Sequence, residues 1–456
     1  MIINCFENDT INENMLPSEW KNSLGDFNDY LQQCWNQRAS LFDDKDSSNK
    51  QQFIDFDHSD GFKTRKYIGS IRYKNNQINI FPKVFKVDRT TKPTDADYTI
   101  MVKSLLIWIS YCDRKIFPYI NDRSNFQDTN SLKELFIMLY SKYVLQTINK
   151  QLFFRYEDKI ESGSFIKGKI DFHDYILNKY TSGNKQIMNY SFSDFVFDNK
   201  VNRIIKYVCK SLLFATEEKN SRINLQNIIM KLTDVADEKC VPSDCDNLHL
   251  EGNQIYSTII SLSKMFLLNM VSENDFGTSD TFCFLFPSDL LFEQFVAGFA
   301  KESLEKIQHV ANVKSQTSDT YISSLVINGA EVRRIYLKED ILINKNGVLY
   351  VFDTKYKYIP KFNEIISDPY RYITDNDDIR QMAIYALQRN AKRLCLIYPL
   401  YKNEIEQDIE IKHDIKPFPD KSITYPCYIV KIPFIFDSDE HIIKERINNI
   451  LNKLII

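Results

Sequence analysis

Between Asp340 and Lys357 the chain reads DILINKNGVLYVFDTKYK, and its chemistry is clearest there. Asn346-Gly347 is a strong hairpin signal, because a two-residue type I′ turn needs positive φ at both central positions. With that turn as the register, Lys345 pairs with Val348, Ile343 with Tyr350 and Ile341 with Phe352. One pair further out, Asp340 falls opposite Asp353. Opposed residues have Cβ atoms about 4.5–5.5 Å apart, so two carboxylates meet at the end of an apolar hairpin. Like charges so placed destabilise a fold, whereas a divalent cation such as Mg²⁺ makes the same hard oxygens a ligand set. Lys355 follows two residues after Asp353 and emerges on the same strand face. Beside a metal and a scissile phosphate, its amine can orient or help deprotonate an attacking water, or stabilise charge developing on phosphorus. The plainer alternative is an exposed strand end. An Asp…Asp-x-Lys pattern also arises by chance, and a four-residue turn would shift the register and separate the acids.

Three further residues fit the same site. Glu293 lies in LLFEQFV, where a charge among apolar neighbours either points outward or reaches into a polar site; taken alone, the outward reading is favoured. Gln381 and Tyr385 stand at i and i+4 on one helix, hence on one face. Ile379, Met382, Ala383, Ala386 and Leu387 can fill the packed side. Such a Gln–Tyr pair can hydrogen-bond a DNA backbone or an attacking water, although alone it more often marks a solvated face.

The elements that must position these residues read as α/β. FCFLFPS is a short apolar run, after which Ser288 can cap the helix DLLFEQFVAGFAKESLEKI. RRIYL, DILI and VLYVFDTKYK follow as strands, then the helix DDIRQMAIYALQRN, the strands RLCLIYPL and YPCYIVKIPF, and a closing helix HIIKERINNILNKLI. Upstream, SLKELFIMLYSKYVLQTINKQL has helical spacing, with Ser131 as an N-cap and Glu134 three residues on. More helix is expected around 195–215, 222–235 and 253–270. KYIGSIRYKNNQINIFPKVF holds two β-type runs about Lys74-Asn75-Asn76-Gln77. The expected organisation is a multidomain α+β and α/β chain: a mixed, β-rich partner-binding region over 1–125, a mainly helical region over 126–278, and an α/β core over 279–456.

Composition excludes several classes. At 456 residues, two or three domains are expected. No apolar run approaches the ~20 residues needed to span a bilayer. The acidic, polar start MIINCFENDTINEN lacks the pattern of a secretory signal, so a cytoplasmic location with no membrane contact is expected. Nine cysteines without framework spacing fit a reduced compartment. Cys240, Cys245 and His249 offer three zinc ligands without a fourth at finger-like spacing, so a plain loop is the stronger reading. With a net charge of −3, any DNA contact must come from a local cleft rather than a global basic field. Gly163 to Lys169 fits G-x-x-x-x-G-K, but Ile170 replaces the Ser or Thr that holds Mg²⁺, and the preceding RYEDKIES is charged. No nucleotide is expected on this chain.

Separated blocks, in order, resemble the McrC family, the nuclease subunits of McrBC-type restriction systems with a PD-(D/E)xK catalytic core. YIGSIRYKNNQINIFPKV resembles the family's G-x-I…I-x-P-K segment at Gly69, Pro82 and Lys83. Gly168 to Asp171 resembles its Gly-Arg/Lys-Ile-Asp stretch. Asp198, Asn202 and Arg203 match a D-x-x-x-N-R helix, and Glu293 an LFE-x-F segment. DILI…VFDTKYK and DIRQMAIYA match the catalytic core and its Gln-x-x-x-Tyr helix. The likeness runs from about 62 to 400. It implies that Asp340, Asp353 and Glu293 bind Mg²⁺, that Lys355 is the catalytic lysine, and that Gln381 and Tyr385 support the site. It also implies a DNA endonuclease acting on 5-methylcytosine-type DNA in antiviral defence, with a McrB-like AAA+ GTPase hexamer that carries GTP. One departure is that the first acid sits in Lys-Glu-Asp rather than Pro-Asp, which weakens the placement of Asp340. Two other functions stay open: a non-catalytic activator of an AAA+ NTPase, and a standalone repair or transposition nuclease.

Overall fold

Runs rich in Ile, Val, Phe and Tyr build sheets at both ends of the chain. The computed structural model describes residues 2–12, 14, 16, 24–37, 50–58, 61–73, 76–88, 90–112, 132–246, 248, 250, 253–270, 282–309, 311–317, 319–327, 330–360, 374–404, 411–416 and 423–455. Ser131, Lys74, Asn75 and His249 lie outside them. Two compact units form, Met1–Leu132 with Phe282–Ile456, and Lys133–Thr281. The sequence limits at 126 and 279 fall near these boundaries, but the first and last regions share one unit, because strands from both make one sheet. Among the described residues no helix is long and apolar enough to cross a membrane.

In the first unit, β1 (Ile2–Phe6), β6 (Asn76–Phe81), β5 (Tyr67–Tyr73) and β10 (Phe282–Pro287) form a sheet in that order. β10 pairs antiparallel with β5. Gly69 makes the pairing possible: its φ is 137°, and a Cβ there would overlap the Phe284 carbonyl. A smaller sheet of β2 (Thr10–Asn12), β4 (Gly61–Thr64) and β3 (Ile54–His58), together with α1 (Leu24–Gln37), joins one core through Phe27, Trp35, Phe62 and Ile71. α2 (Asp95–Tyr111) starts at a capping box in which Thr94 and Asp97 satisfy each other's backbone N–H groups. It packs on α7 (Ser288–Ala300), where Gly298 allows close approach to the Tyr111 carbonyl.

The second sheet of this unit runs β11 (Asn312–Thr317), β14 (Glu339–Lys345), β15 (Val348–Thr354), β16 (Arg393–Pro399), β18 (Tyr425–Ile432), β17 (Ile411–Ile415). β14 and β15 are antiparallel, and β15, β16 and β18 are parallel. The parallel step from β15 to β16 contains α8 (Asn376–Arg389), and α9 (Glu440–Leu454) ends the chain's described elements. β16 reads as a nearly unbroken apolar run because both its faces are covered. The RRIYL strand departs from expectation. It belongs to β13 (Ala330–Tyr336), which pairs with β12 (Tyr321–Ile327) as a separate ribbon and not with the main sheet.

The second unit holds α3 (Leu132–Lys150), α4 (Lys200–Ala215), α5 (Lys219–Lys231) and α6 (Gln254–Met270). The mainly helical expectation needs a correction here. β7 (Arg155–Gly163), β9 (Met188–Val196) and β8 (Lys169–Ile170) form a three-stranded sheet. β7 carries charged residues between its apolar ones and is largely solvent-facing, so it lacks the apolar rhythm of a half-buried strand, whereas β9 alternates Met188, Tyr190 and Phe192 with Asn189, Ser191 and Ser193. Gly168, φ 78°, serves this sheet, since a Cβ there would overlap the Ser191 carbonyl.

Candidate active site

Asn346 and Gly347 have φ of 53° and 84°, the type I′ combination, and the register runs Lys345↔Val348 through Ile341↔Phe352. Continued by one residue, it sets Asp340 opposite Asp353. Asp353 is buried, at 1% exposure. Burial first, and then the neighbouring Asp340 charge, push its carboxyl up to about 7. Asp340 is raised as well, mainly by burial, although Thr354 offsets this by donating both its backbone N–H and its hydroxyl to Oδ2, each at 2.7 Å.

Glu293 comes from α7 and reaches the same place. Burial, and next the Asp340 charge, raise it to about 7, while Gln316 donates to Oε1 at 2.6 Å. The outward reading of this residue is therefore replaced: α7 lies against β14 and β15, and its glutamate faces the two aspartates' charges.

Lys355 completes the cluster. Its ammonium donates to Gln381 Oε1 at 2.9 Å and lies 3.5 Å from Asp378 Oδ1. It also lies 2.7 Å from Asp353 Oδ2, but off the direction of a hydrogen bond, so that buried oxygen has no donor aimed at it. Burial pulls the amine down, yet Asp353, Asp378 and Asp340 outweigh it and leave Lys355 above its ordinary value. Gln381 then donates to the Tyr385 hydroxyl at 2.6 Å, and Tyr385 donates to the Lys338 carbonyl at 2.7 Å. Gln381 and Tyr385 are thus a packed hydrogen-bond relay from α8, not a solvated face.

Hard oxygen ligands suit Mg²⁺. Three carboxylates each keep an oxygen that accepts no hydrogen bond among the described residues: Asp353 Oδ2, Asp340 Oδ1 and Glu293 Oε2. That set fits a hard cation. Among the described residues, no three His, Cys, Asp or Glu side chains are already drawn together into a metal cage. Elsewhere, burial first raises the Cys240 thiol to about 11 and the Cys245 thiol to about 12.

Sequence patterning missed several partners. Asp378 is buried and binds Lys357 at 3.0 Å as well as facing Lys355. It stands three residues before Gln381, a helical spacing that could have flagged it. Glu7, from β1, is wholly hidden from sequence arguments. Its Oε1 accepts from the Lys83 backbone N–H at 2.8 Å and the Tyr356 hydroxyl at 2.7 Å, and its Oε2 from the Ser288 hydroxyl at 2.5 Å. Ser288 is consequently not a cap: Pro287 holds that position, and the hydroxyl is spent on Glu7.

The sequence model of the McrBC 5-methylcytosine restriction system component family matches residues 62–399. The chain belongs to this family. One solved relative is a chain from a half-complex of a tetradecameric assembly of Thermococcus gammatolerans McrB AAA+ hexamers with bound McrC. It is 16% identical, with a TM-score of 0.60 over 100% of both chains. A chain of the cryo-EM Thermococcus gammatolerans McrBC complex is 17% identical, covers 67% of this chain and 88% of its own, and has a TM-score of 0.43. No curated protein sequence matches.

Several McrBC family segments have structural duties here. Lys83 donates from Nζ to the Tyr356 carbonyl at 2.8 Å and lies 4.2 Å over the Tyr356 ring, beside Lys355 in sequence. Asn202 donates to the Phe153 and Phe197 carbonyls, both at 2.8 Å, and Arg203 forks onto Asp198 at 2.7 and 3.0 Å. Asp171 caps a short helix through the Asp174 N–H.

Proposed function

We propose that this McrBC family chain is the Mg²⁺-dependent DNA endonuclease subunit of a 5-methylcytosine-type restriction system, with a PD-(D/E)xK core. The observation that carries this reading is the meeting of Glu293, Asp340, Asp353 and Lys355 from α7, β14 and the end of β15, with donor-free carboxylate oxygens and an anchored ammonium. Glu293, Asp340 and Asp353 would hold Mg²⁺, which when bound supplies Lewis-acid activation of a phosphodiester and of water. Lys355, kept protonated by its carboxylate neighbours, stabilises negative charge that grows on the phosphoryl oxygens. Gln381 fixes the direction of that ammonium, and Tyr385, tied to the Lys338 carbonyl, fixes Gln381. Thr354 holds one oxygen of Asp340 and leaves the other free.

The partner in this reading is a McrB-like AAA+ GTPase hexamer, which this chain binds and stimulates. Support comes from the second unit, whose sheet exposes Ile160 and the Tyr156 and Phe195 rings, 4.9 Å apart. A cluster of this kind on a soluble surface marks an interaction site. The activator role therefore stands beside the nuclease role.

Cleavage of methylated DNA by the chain with its AAA+ partner tests the site. Asp353→Ala and Lys355→Ala should each abolish cutting while folding and partner binding survive. Undiminished cutting by either variant refutes the assignment. Full stimulation of GTP turnover by the Asp353→Ala chain would place the activating role outside the nuclease centre.

A further inference from the structure

The ribbon β12–β13 leaves the main sheet between β11 and β14, three residues before Asp340. Its described side chains are exposed along both strands, and Tyr321, Ile322, Val332, Ile335 and Tyr336 are between 39% and 59% open to solvent. An isolated two-stranded ribbon is marginal in water. Apolar side chains clustered on it and rimmed by charge mean that its surface serves binding.

The ribbon is nevertheless firmly rooted. Arg389, the last residue of α8, pairs with Asp319 just before β12 and with Glu339 just after β13. Glu339 is fully buried and also accepts the Thr317 hydroxyl at 2.7 Å. The same helix carries Gln381 and Tyr385, so one rigid element fixes both the lysine of the candidate site and the base of the ribbon.

Charge selects the occupant. The three acids at the ribbon are held by two cations: Arg389 bridges Asp319 and Glu339, and Arg334 forks onto Glu331. Lys314, Arg333 and Lys338 are exposed and form no ion pair among the described residues. On a chain of net charge −3, this leaves a local surplus of unpaired cations. Lys338 is near enough for Glu293 and Asp340 to feel its charge. At the root, Tyr321 and Tyr336 stand edge to face with ring centroids 6.3 Å apart, and the Arg334 guanidinium lies 4.7 Å over Tyr321. Arg334 and the two rings share one face of the ribbon and Arg333 takes the other, so a nucleic acid around the ribbon meets rings for its bases and sugars on one side and a free cation for its phosphates on the other. A two-stranded ribbon also fits the major groove of a duplex, about 12 Å wide.

We propose that the β12–β13 ribbon is the DNA-holding arm of the nuclease centre, with its Arg333, and Lys314 of β11 and Lys338 at its base, on phosphates and Tyr321 and Tyr336 against the nucleosides. This rests on the nuclease reading for the identity of the centre but not for its own measurement.

The test uses the full chain and a fluorescein-labelled DNA duplex in EDTA, where binding is read by anisotropy without cutting. The combined variant Tyr321→Ala, Arg333→Ala, Tyr336→Ala should bind about tenfold more weakly. Arg333→Ala alone should reduce the slope of log affinity against log salt by about 1. All these residues are exposed, so the melting temperature should not move, and Ile442→Ala, at an exposed position of α9, should bind like the parent. Equal duplex affinity of parent and combined variant overturns the proposal. So does loss of AAA+ partner binding with DNA affinity intact, which would make the ribbon a protein contact. Asp353→Ala separates the two readings: undiminished cutting by it would sink the nuclease centre, while the ribbon is still judged by the anisotropy.

Discussion

β12–β13 and β14–β15 are successive pairs of seven-residue antiparallel strands, and each pair brackets an Asn-Gly, at 328–329 and 346–347. Their fates are opposite. β14–β15 has β11 on one side, β16 on the other, and α7 against it, so even its terminal Asp353 is removed from water. Among the described residues β12–β13 pairs with no further strand, and it keeps its tyrosines and arginines in solvent. The Asn-Gly sequence is shared; what differs among the described residues is the number of neighbouring strands. Burial raises Asp353 to about 7 in one hairpin, and exposure leaves cations available in the other.

The largest effect that would break this contrast is catalytic. Lys355→Ala should abolish detectable DNA cutting, a loss of at least about 10³-fold, whereas the ribbon variants should lower it only as far as their weaker DNA affinity does. Comparable losses would erase the distinction between a reacting centre and a holding arm. Next comes packing. Phe352→Ala removes a fully buried ring and should cost about 3–5 kcal/mol in chemical denaturation. Val332→Ala on the ribbon should stay within about 0.5 kcal/mol.

The acids supply a sharper test through pH. Glu293 and Asp353 are both raised to about 7 in the folded chain, mainly by burial. A carboxyl whose folded value is raised stabilises the fold below its unfolded value, and that contribution is lost as pH climbs through the folded value. In EDTA the melting temperature should therefore fall between about pH 4 and pH 7, and Asp353→Asn should flatten the fall. Mg²⁺ should raise the melting temperature at pH 8 and do little at pH 5, because protons then occupy its ligands. A rise of equal size at both values would remove these carboxyls from the ligand set. The smallest effect is at the turn. Gly347→Ala meets open space but a φ of 84°, and should cost about 1 kcal/mol from backbone strain alone.

Much of the site could be read from the residues. A two-residue turn fixes a register by counting, so the meeting of Asp340 and Asp353 needed no coordinates, and i, i+4 spacing put Gln381 and Tyr385 on one face. Glu293 was ambiguous, because an isolated glutamate on an apolar helix reads identically whether it faces solvent or a buried carboxylate pair. Glu7 could not be found at all. It lies hundreds of positions from Ser288 and Tyr356, and no local rule links a first-strand carboxylate to their hydroxyls.

Periodicity and turn chemistry thus determined the hairpin, the helix faces and most element types, since these depend on residues within a few positions of one another. The tertiary structure alone decided which strands share a sheet, that β10 returns to β5, that β12–β13 stands apart, and which charges lose their water. Those outcomes depend on contacts between distant segments, and burial, the main force on every shifted group in the candidate site, belongs to the packed chain rather than to any segment of it.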